Sequence, residues 1–271
     1  MRIARGISVT NTSKPISTAP AYDADALAFF TAASITDTTQ KSAVNTLVLN
    51  LKYANIWSKM KALYPIVGGS ASSHKWNLKD PRDLDLAFRL TFSTGWTHSS
   101  TGMFPSTAYA DTKLAPSISL STNNTHISVY SRDNNESNAA LMGSNDGTPT
   151  FAKQLIILPK NANLFYGAVN QNTSSSLANT DAKGFFLVKR TTSTGIVMQK
   201  NSTQNSITVT SSGLTANNTF LGAVNTGIYY YASNQIAFAS IGDGLTDAEA
   251  LSFYNAVQTY QTTLGRQTII G

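Results

Sequence analysis

The 271-residue chain has no cysteine, which removes disulfides, thiolate nucleophiles and thiolate-bound zinc together. Charge is scarce as well. Asp, Glu, Lys and Arg make up 13% of residues, about half of the roughly 25% usual in soluble domains, so solvation falls to Ser, Thr and Asn. Glutamate is the rarest acid, present only as Glu136 and Glu249. No apolar run approaches the roughly 18 residues that span a bilayer, so membrane insertion is not expected. The opening MRIARGISVTNTSKPIST holds two arginines without an apolar segment behind them and does not read as a secretory signal. The net charge of +6 is concentrated in residues 1–100, which carry eleven Lys/Arg against six Asp. These cations are spaced singly, whereas a nucleic-acid surface needs them clustered with aromatics, so that class of partner is set aside.

What the chain does contain is a hydrophobic fraction of 41%, enough for a core, with turn residues scattered throughout. Its clearest stretch runs from Gln235 to Arg266. Ile236, Phe238 and Ile241 mark a strand, and Gly242-Asp243-Gly244 a turn where positive φ costs little. Thr246 and Glu249 stand at capping-box spacing, with Leu245 as the outer half of a hydrophobic staple. Leu251, Tyr254, Val257 and Leu264 then recur at helical steps. Gly265 suits the position after a helix, and Arg266 suits the carboxyl end of its dipole.

Upstream, Pro15 and Pro20 interrupt any regular element, so residues 1–20 read as an extended N-terminal arm. Asp23 to Ala33 predicts a short helix. Asp37, with Gln40 at capping-box spacing, opens a second one whose buried stripe is Val44, Leu47, Val48 and Leu51. Trp57, Met60, Leu63 and Tyr64 should pack it onto the main body. From Pro65 the rhythm becomes strands and turns. Leu84, Leu86, Phe88, Leu90 and Phe92 alternate with more polar neighbours, the pattern of a half-buried strand. A long loop carries Trp96, His98, Met103, Phe104 and Tyr109. Ile118 and Leu120, then Ile127 to Tyr130, mark two more strands, followed by Leu155–Leu158, Leu164–Val169, Gly184–Arg190, Ile196–Lys200, Ile207–Val209, Phe220–Val224 and Ile228–Tyr231. Of Tyr229, Tyr230 and Tyr231, at least one should point outward. About a dozen strands without intervening helices predict a mainly β fold, a two-sheet antiparallel sandwich with two N-terminal helices and one C-terminal helix. The expected organisation is one domain over 21–271: a helical part (21–64), the sandwich (65–241), and the C-terminal helix and tail (242–271).

Hydrolytic chemistry finds little support. A retaining glycosidase holds two carboxyl groups about 5 Å apart, yet Glu249 is assigned to a cap and Glu136 to a polar loop. Asp80, Asp83 and Asp85 form the one acidic cluster. They either pair as a site or engage Arg82 and Arg89. His74, His98 and His126 fit no metal-binding spacing, and no nucleophile elbow of the form G-x-S-x-G occurs.

The segments FASIGDGLTDAEALSFYNAVQTYQTTLGR, SSHKWNLKDPRDLDLAFRLTF and NNTHISVYSRD resemble the concanavalin A-like lectin/glucanase superfamily, laminin G-like jelly rolls in particular. From about Ala24 to Gln267 the chain is similar to modules of tailed-phage and prophage structural proteins such as tail fibres. The resemblance implies a jelly roll whose concave face and rim loops bind glycans in lectin members. The Glu-x-Asp-x-x-Glu pattern of glucanase members is absent. Trp96, His98, Tyr130, Arg132 and Arg190 are then the glycan-binding candidates, each with a competing role: Tyr130 in the core, Arg132 and Arg190 as strand-end anchors. The resemblance also allows a structural calcium in rim loops near Asp111, Asp133, Asp146 or Asp181, and no other cofactor is expected. The leading expectation is a non-enzymatic phage virion protein, in the adhesion apparatus or as a head or tail decoration. It would be made in the bacterial cytoplasm, joined to other virion proteins by its arm, able to self-associate, and in contact with host-surface glycans. Two alternatives stay open. One is a purely structural virion module, and the other is a polysaccharide-degrading enzyme with Asp83 or Asp85 beside a second carboxylate in a groove.

Overall fold

A computed structural model describes residues 22–147, 151–226 and 230–268, and the expected arm lies outside them. Helix α1 (Ala24–Ala33) is capped by Asp23, which accepts from the Asp25 amide. Helix α2 (Thr38–Tyr53) is capped by Asp37 and buries the expected Val44, Leu47, Val48 and Leu51. Its capping box does not close, because Gln40 Oε1 accepts from the Gly68 amide at 2.9 Å instead. Single turns form at α3 (Ala71–His74) and α4 (Pro116–Ser119). In α5 (Asp247–Thr263) both halves of the box are present: Glu249 N donates to Thr246 Oγ1 at 3.2 Å, and Thr246 N to Glu249 Oε2 at 2.7 Å.

The strands, in chain order, are β1 (Met60–Tyr64), β2 (Thr91–Phe92), β3 (Trp96–Ser99), β4 (Gly102–Pro105), β5 (Ala110–Asp111), β6 (Thr125–Ser131), β7 (Met142–Ser144), β8 (Gln154–Asn161), β9 (Leu164–Gln171), β10 (Ser175–Ala178), β11 (Gly184–Arg190), β12 (Gly195–Lys200), β13 (Thr203–Thr208), β14 (Phe220–Leu221), β15 (Ala223–Asn225), β16 (Tyr230–Tyr231) and β17 (Ile236–Gly242). Among the described residues they form two sheets. The first has eight strands, in the order β13-β12-β11-β6-β17-β4-β3 with β1 also on β17. The second has nine, in the order β10-β9-β8-β7-β14-β5-β2, extended by β15 and β16. Pairing is antiparallel except for β15 on β7. This is the expected mainly β, two-sheet sandwich of the jelly-roll type.

The central strands of the eight-stranded sheet, β6, β11 and β17, are buried on both faces. Ile127, Val129, Phe186, Val188, Ile196 and Ile241 point to the second sheet, while Tyr130, Phe185, Leu187, Ala237 and Phe238 point to a layer made of α1, α2 and α5. Strict alternation would send adjacent Ala237 and Phe238 to opposite faces. A register shift between Ile236 and Phe238 is the irregularity that lets both join the helical layer, as expected of a bulge.

Three expectations are corrected. Of the expected Leu84–Phe92 strand only Thr91–Phe92 forms, as β2, and the rest is a loop containing a 3-10 turn at Asp85–Ala87, with Leu84 49% and Leu86 85% exposed. Arg89 bonded to Asp83 and Asp85, and Lys75 bonded to Asp83, draw the segment into a compact turn that the hydrophobic alternation did not disclose. Ile118–Leu120 is not a strand, because Pro116 starts the α4 turn there, a position that suits its missing N–H. The Trp96 loop holds a hairpin, β3 with β4. Arg266 follows the carboxyl end of α5, as expected, and is 1% exposed. The Ile228–Tyr231 strand lies partly outside the described residues, and Tyr231 is 37% exposed.

Arg266 closes the structure. Its Nε donates to Gln261 Oε1 at 3.0 Å, Nη1 to the carbonyls of Ile66 (2.7 Å) and Ser100 (3.5 Å), and Nη2 to those of Pro65 (3.3 Å) and Ala237 (3.2 Å). One guanidinium thus satisfies carbonyls from the loop after β1, the β3–β4 hairpin and β17. Replacing it leaves several of these acceptors buried without donors, at about 1–3 kcal/mol each. Arg266→Met should therefore lower the unfolding free energy by about 3 kcal/mol or more, read as a fall in urea midpoint. A loss below about 1 kcal/mol would show that the clamp is dispensable.

Candidate functional site

The five glycan-binding candidates do not form one site. Arg190, at the end of β11, pairs with Thr125 at the start of β6, whereas Arg132 follows the other end of β6. Seven residues of strand separate the two positions, about 23 Å. Arg190 is fully buried. It donates to the carbonyls of Val169, Thr192, Ser193 and Val209 and to Gln171 Oε1, tying the two sheets together. Tyr130 is also fully buried, its hydroxyl meeting Gln258 Oε1 and Thr268 under α5. Both are structural, which corrects the expectation that they contact a ligand. Arg132 is half-buried, with bonds to Arg266 O, Thr101 O and Gln235 Oε1. Trp96 and His98 do lie together, but their partners are Phe92 (ring centroids 5.7 and 4.8 Å away) and, for His98, His74, a packed cluster at the sheet edge.

The carboxylates are likewise committed. Asp83 and Asp85 face Arg89. Lys75 holds the Asp83 carboxyl below the usual range. Burial pushes Glu249 up, but Lys59 at 2.7 Å and the Thr246 amide outweigh it and leave the group lowered, the wrong direction for a general acid. Of the calcium candidates, Asp111 takes Lys113 and Asn218, Asp133 takes the Gln235 amide, Asp181 the Lys183 amide and Asp146 the Lys153 amide. Among the described residues no three His, Cys, Asp or Glu side chains converge as a metal would need.

The place with the geometry of a binding site was not singled out from sequence. On β8 and β9, Leu155, Ile157, Phe165 and Val169 point into the sandwich, so Ile156, Leu158 and Tyr166 emerge on the outer face of the nine-stranded sheet, where they cluster with Ala140 and Val224. Registered pairs place Ala168, Ile156, Gly143 and Val224 in one row across β9, β8, β7 and β15. Two of the four are small, which keeps the floor low, and a Cβ on Gly143 would lie 2.9 Å from the Leu155 carbonyl. The groove above has a volume of about 450 Å³, within the roughly 300–1,000 Å³ typical of ligand pockets. Asn138, Asn145, Gln154, Asn161 and Ser174 rim it, and Phe151, 38% exposed, stands at its edge. The side chains of Asn138 and Asn161 make no hydrogen bond within the described residues. A signal did exist in QLIILPKN: a strand apolar on both faces needs a second cover, and the helical stripes are spent on the other sheet. A further cavity of about 520 Å³, between the ends of β10 and β13, has its cation committed, since Lys200 donates to Asn179 Oδ1 and Asp181 O, both at 2.6 Å.

Neither family models nor curated proteins match the chain. Solved structures do. A Trypanosoma rangeli sialidase mutant displaying trans-sialidase activity matches at TM-score 0.51 and 6% identity, over 80% of this chain and 39% of that one. Domain 4 of a Geobacillus stearothermophilus extracellular arabinanase, in complex with arabinotriose, matches at 0.43 and 12%, over 72% and 98%. The carbohydrate-binding module of the Ruminococcus gnavus IT-sialidase, bound to α2,3-sialyllactose, matches at 0.39 and 14%, over 49% and 82%. The present chain spans about two fifths of the T. rangeli enzyme's length. The T. rangeli match, at 6% identity, bears on the fold alone.

The histidines are structural, and their tautomers can be assigned. His74 Nε2 accepts from the Gly69 amide at 3.2 Å, so its Nδ1 carries the proton donated to His98 Nδ1 at 2.9 Å. His126 Nδ1 donates to the Asp243 carbonyl at 2.5 Å, leaving Nε2 to accept from Ser240 Oγ at 3.3 Å. Burial, reinforced by His98 and Arg266, lowers the His74 pKa to about 3. Burial lowers that of His126 to about 4 against the partial opposition of the Asp243 carbonyl. A depressed histidine contributes stability that is present in full above the unfolded value near 6.5 and is lost as pH falls below it. Going from pH 7.5 to pH 5 should thus cost about 2 kcal/mol per histidine, in a window where carboxylates barely titrate. Urea unfolding at the two pH values tests this. His74→Gln should reduce the pH dependence without abolishing it, since burial also lowers His98 and His126, and a flat profile in the parent protein would overturn the assignment.

Proposed function

We propose that the chain is a non-enzymatic, lectin-like module of a tailed-phage or prophage virion, in the adhesion apparatus or as a head or tail decoration. In this reading it contacts host-surface glycans through the open face of the nine-stranded sheet. The observation that carries the reading is the division of labour between the sheets. One is covered by helices on its outer face, while the other exposes an apolar floor under a rim of amides and hydroxyls. An apolar platform with a few convergent planar polar groups is the general pattern of small-molecule sites, and it suits sugar rings, which present C–H faces and hydroxyl edges together. The non-enzymatic part is supported by Asp83, Asp85 and Glu249 being ion-paired away from the groove, whose lining holds no carboxylate.

The purely structural reading, a module packing on neighbouring virion subunits, is favoured by a different observation. Tyr53, Leu86 and Ile118 are 92%, 85% and 85% exposed, and exposed apolar side chains serve protein contacts well. Glycan-array binding separates the two. The lectin reading expects binding that falls at least tenfold in Tyr166→Ala and stays within about twofold in Trp96→Ala, with no reducing ends released from host polysaccharide. No binding, together with loss of particle incorporation when residues 1–20 are deleted, would instead establish the structural role.

A further inference from the structure

We infer that the groove on the nine-stranded sheet is selective for an uncharged oligosaccharide, held without calcium and without ion pairing. This rests on the glycan-binding reading above and deepens it. The groove is lined by Asn, Gln, Ser, Thr, Ala, Ile, Leu, Val, Tyr and Phe side chains, with no Asp, Glu, Lys, Arg or His among the described residues that line it. An anionic sugar desolvated there would meet no cation, and an unpaired charge away from water is expensive. Of the nearby acids, Glu136 Oε1 accepts from the Ala162 amide and Asp146 from the Lys153 amide. A calcium bridge needs several oxygen ligands, carboxylates among them, and this lining supplies none.

The polar rim instead matches hydroxyl groups. Asn138 and Asn161 bring amides uncommitted to other described residues. Gln154 is oriented by two bonds, Nε2 to the Asn172 carbonyl at 3.0 Å and Oε1 from Ser174 Oγ at 2.8 Å, which holds its plane at the groove wall. An amide offers a donor pair and an acceptor, the complement of a sugar hydroxyl, which both gives and takes. Length follows from the strands that the lining crosses, from Tyr166 on β9 through Ile156 on β8 and past β7 to Val224 on β15. Four strands at about 4.8 Å spacing span about 14 Å, longer than a single pyranose ring, so contacts accumulate along a chain of sugars.

The test is a calorimetric titration of the full chain with neutral gluco-, galacto- and manno-oligosaccharides of one to four units, and with sialylated and uronate-containing counterparts. Expected are at least tenfold tighter binding of a neutral trisaccharide than of its monosaccharide, and at least tenfold preference over the anionic analogue. Affinity should change less than twofold between 50 and 500 mM salt and with EDTA. Asn138→Ala, on an exposed side chain with no folding duty, should weaken binding about fivefold with unchanged circular dichroism and midpoint, and Tyr166→Ala, which also removes packing on Leu158 and Val224, at least tenfold with unchanged circular dichroism. Preference for anionic sugars, or loss of binding in EDTA, overturns the inference while leaving a glycan-binding protein. Binding that neither substitution alters overturns it by placing the sugar elsewhere. Absence of binding to every probe overturns both this inference and the reading beneath it.

Discussion

The structure depends on a sheet whose central strands, β6, β11 and β17, have no wet face. The eight-stranded sheet sends Phe186, Val188 and Ile241 one way and Phe185, Leu187 and Phe238 the other, so it requires two covers. The second sheet supplies one. The other must come from outside the sandwich, and α1, α2 and α5 supply it, with Phe253, Val257 and Tyr260 of α5 fully or almost fully buried against the Leu47 and Leu51 side of α2 and against β17. Because every helix of more than four residues among the described residues is used there, none of them covers the outer face of the nine-stranded sheet. The position of the groove is therefore a consequence of where the helices went.

Covering a sheet on both faces also buries its polar side chains, and the fold answers with hydrogen bonds rather than with ion pairs. Ser128 and Ser240 meet across β6 and β17 at 2.7 Å, with His126 completing the row. Arg190 and Arg266 are buried without a carboxylate on either. Carbonyls and one amide oxygen take each guanidinium, a use of the five-donor fork that a lysine could not reproduce. Buried ion pairs carry desolvation penalties that can exceed their attraction. Here the donors spread over carbonyls that themselves needed partners, so the charge serves the backbone accounting of the loops that close the sandwich. Lys189, 2% exposed, follows the same logic only in part: it donates to the Leu245 carbonyl and also to Asp247, whose carboxylate reaches solvent.

The elements legible in the sequence were those whose determinants are local. The Thr246–Glu249 box, the α2 stripe and the strands at Gly184–Arg190 and Ile236–Gly242 follow from spacings of two to four residues. The failures share a cause of the opposite kind. Leu84–Phe92 alternates well enough for a strand, but Arg89 and Lys75 gather its aspartates into a turn, a preference set by contacts outside the segment. Tyr130 and Arg190 looked like ligand contacts because strand ends in a lectin-like fold commonly face solvent. Whether a strand end is covered depends on a helix more than a hundred residues from Tyr130 and on a strand pairing about twenty residues from Arg190. The groove was hidden for the same reason: Ile156 and Tyr166 count as core by composition, and only the topology reveals that they emerge half-buried on the outer face of the nine-stranded sheet.

Such a surface constrains the chemistry available to it. With charge this scarce, the acids and bases of the chain are mostly spent holding loops and helix starts, as at Asp83, Asp85, Asp133 and Glu249, and few remain for a reacting centre. Recognition by apolar contact and amide hydrogen bonds needs no titratable group, and each such bond is individually modest, about 1 kcal/mol net. A weak site of this kind gains most from repetition, whether along a polymeric ligand or across many copies held in one assembly, where linked binding events multiply apparent affinity without any new contact. The uncharged groove, the Asn- and Thr-rich surface and the proposed place in a multi-copy particle are consistent with one another on that ground.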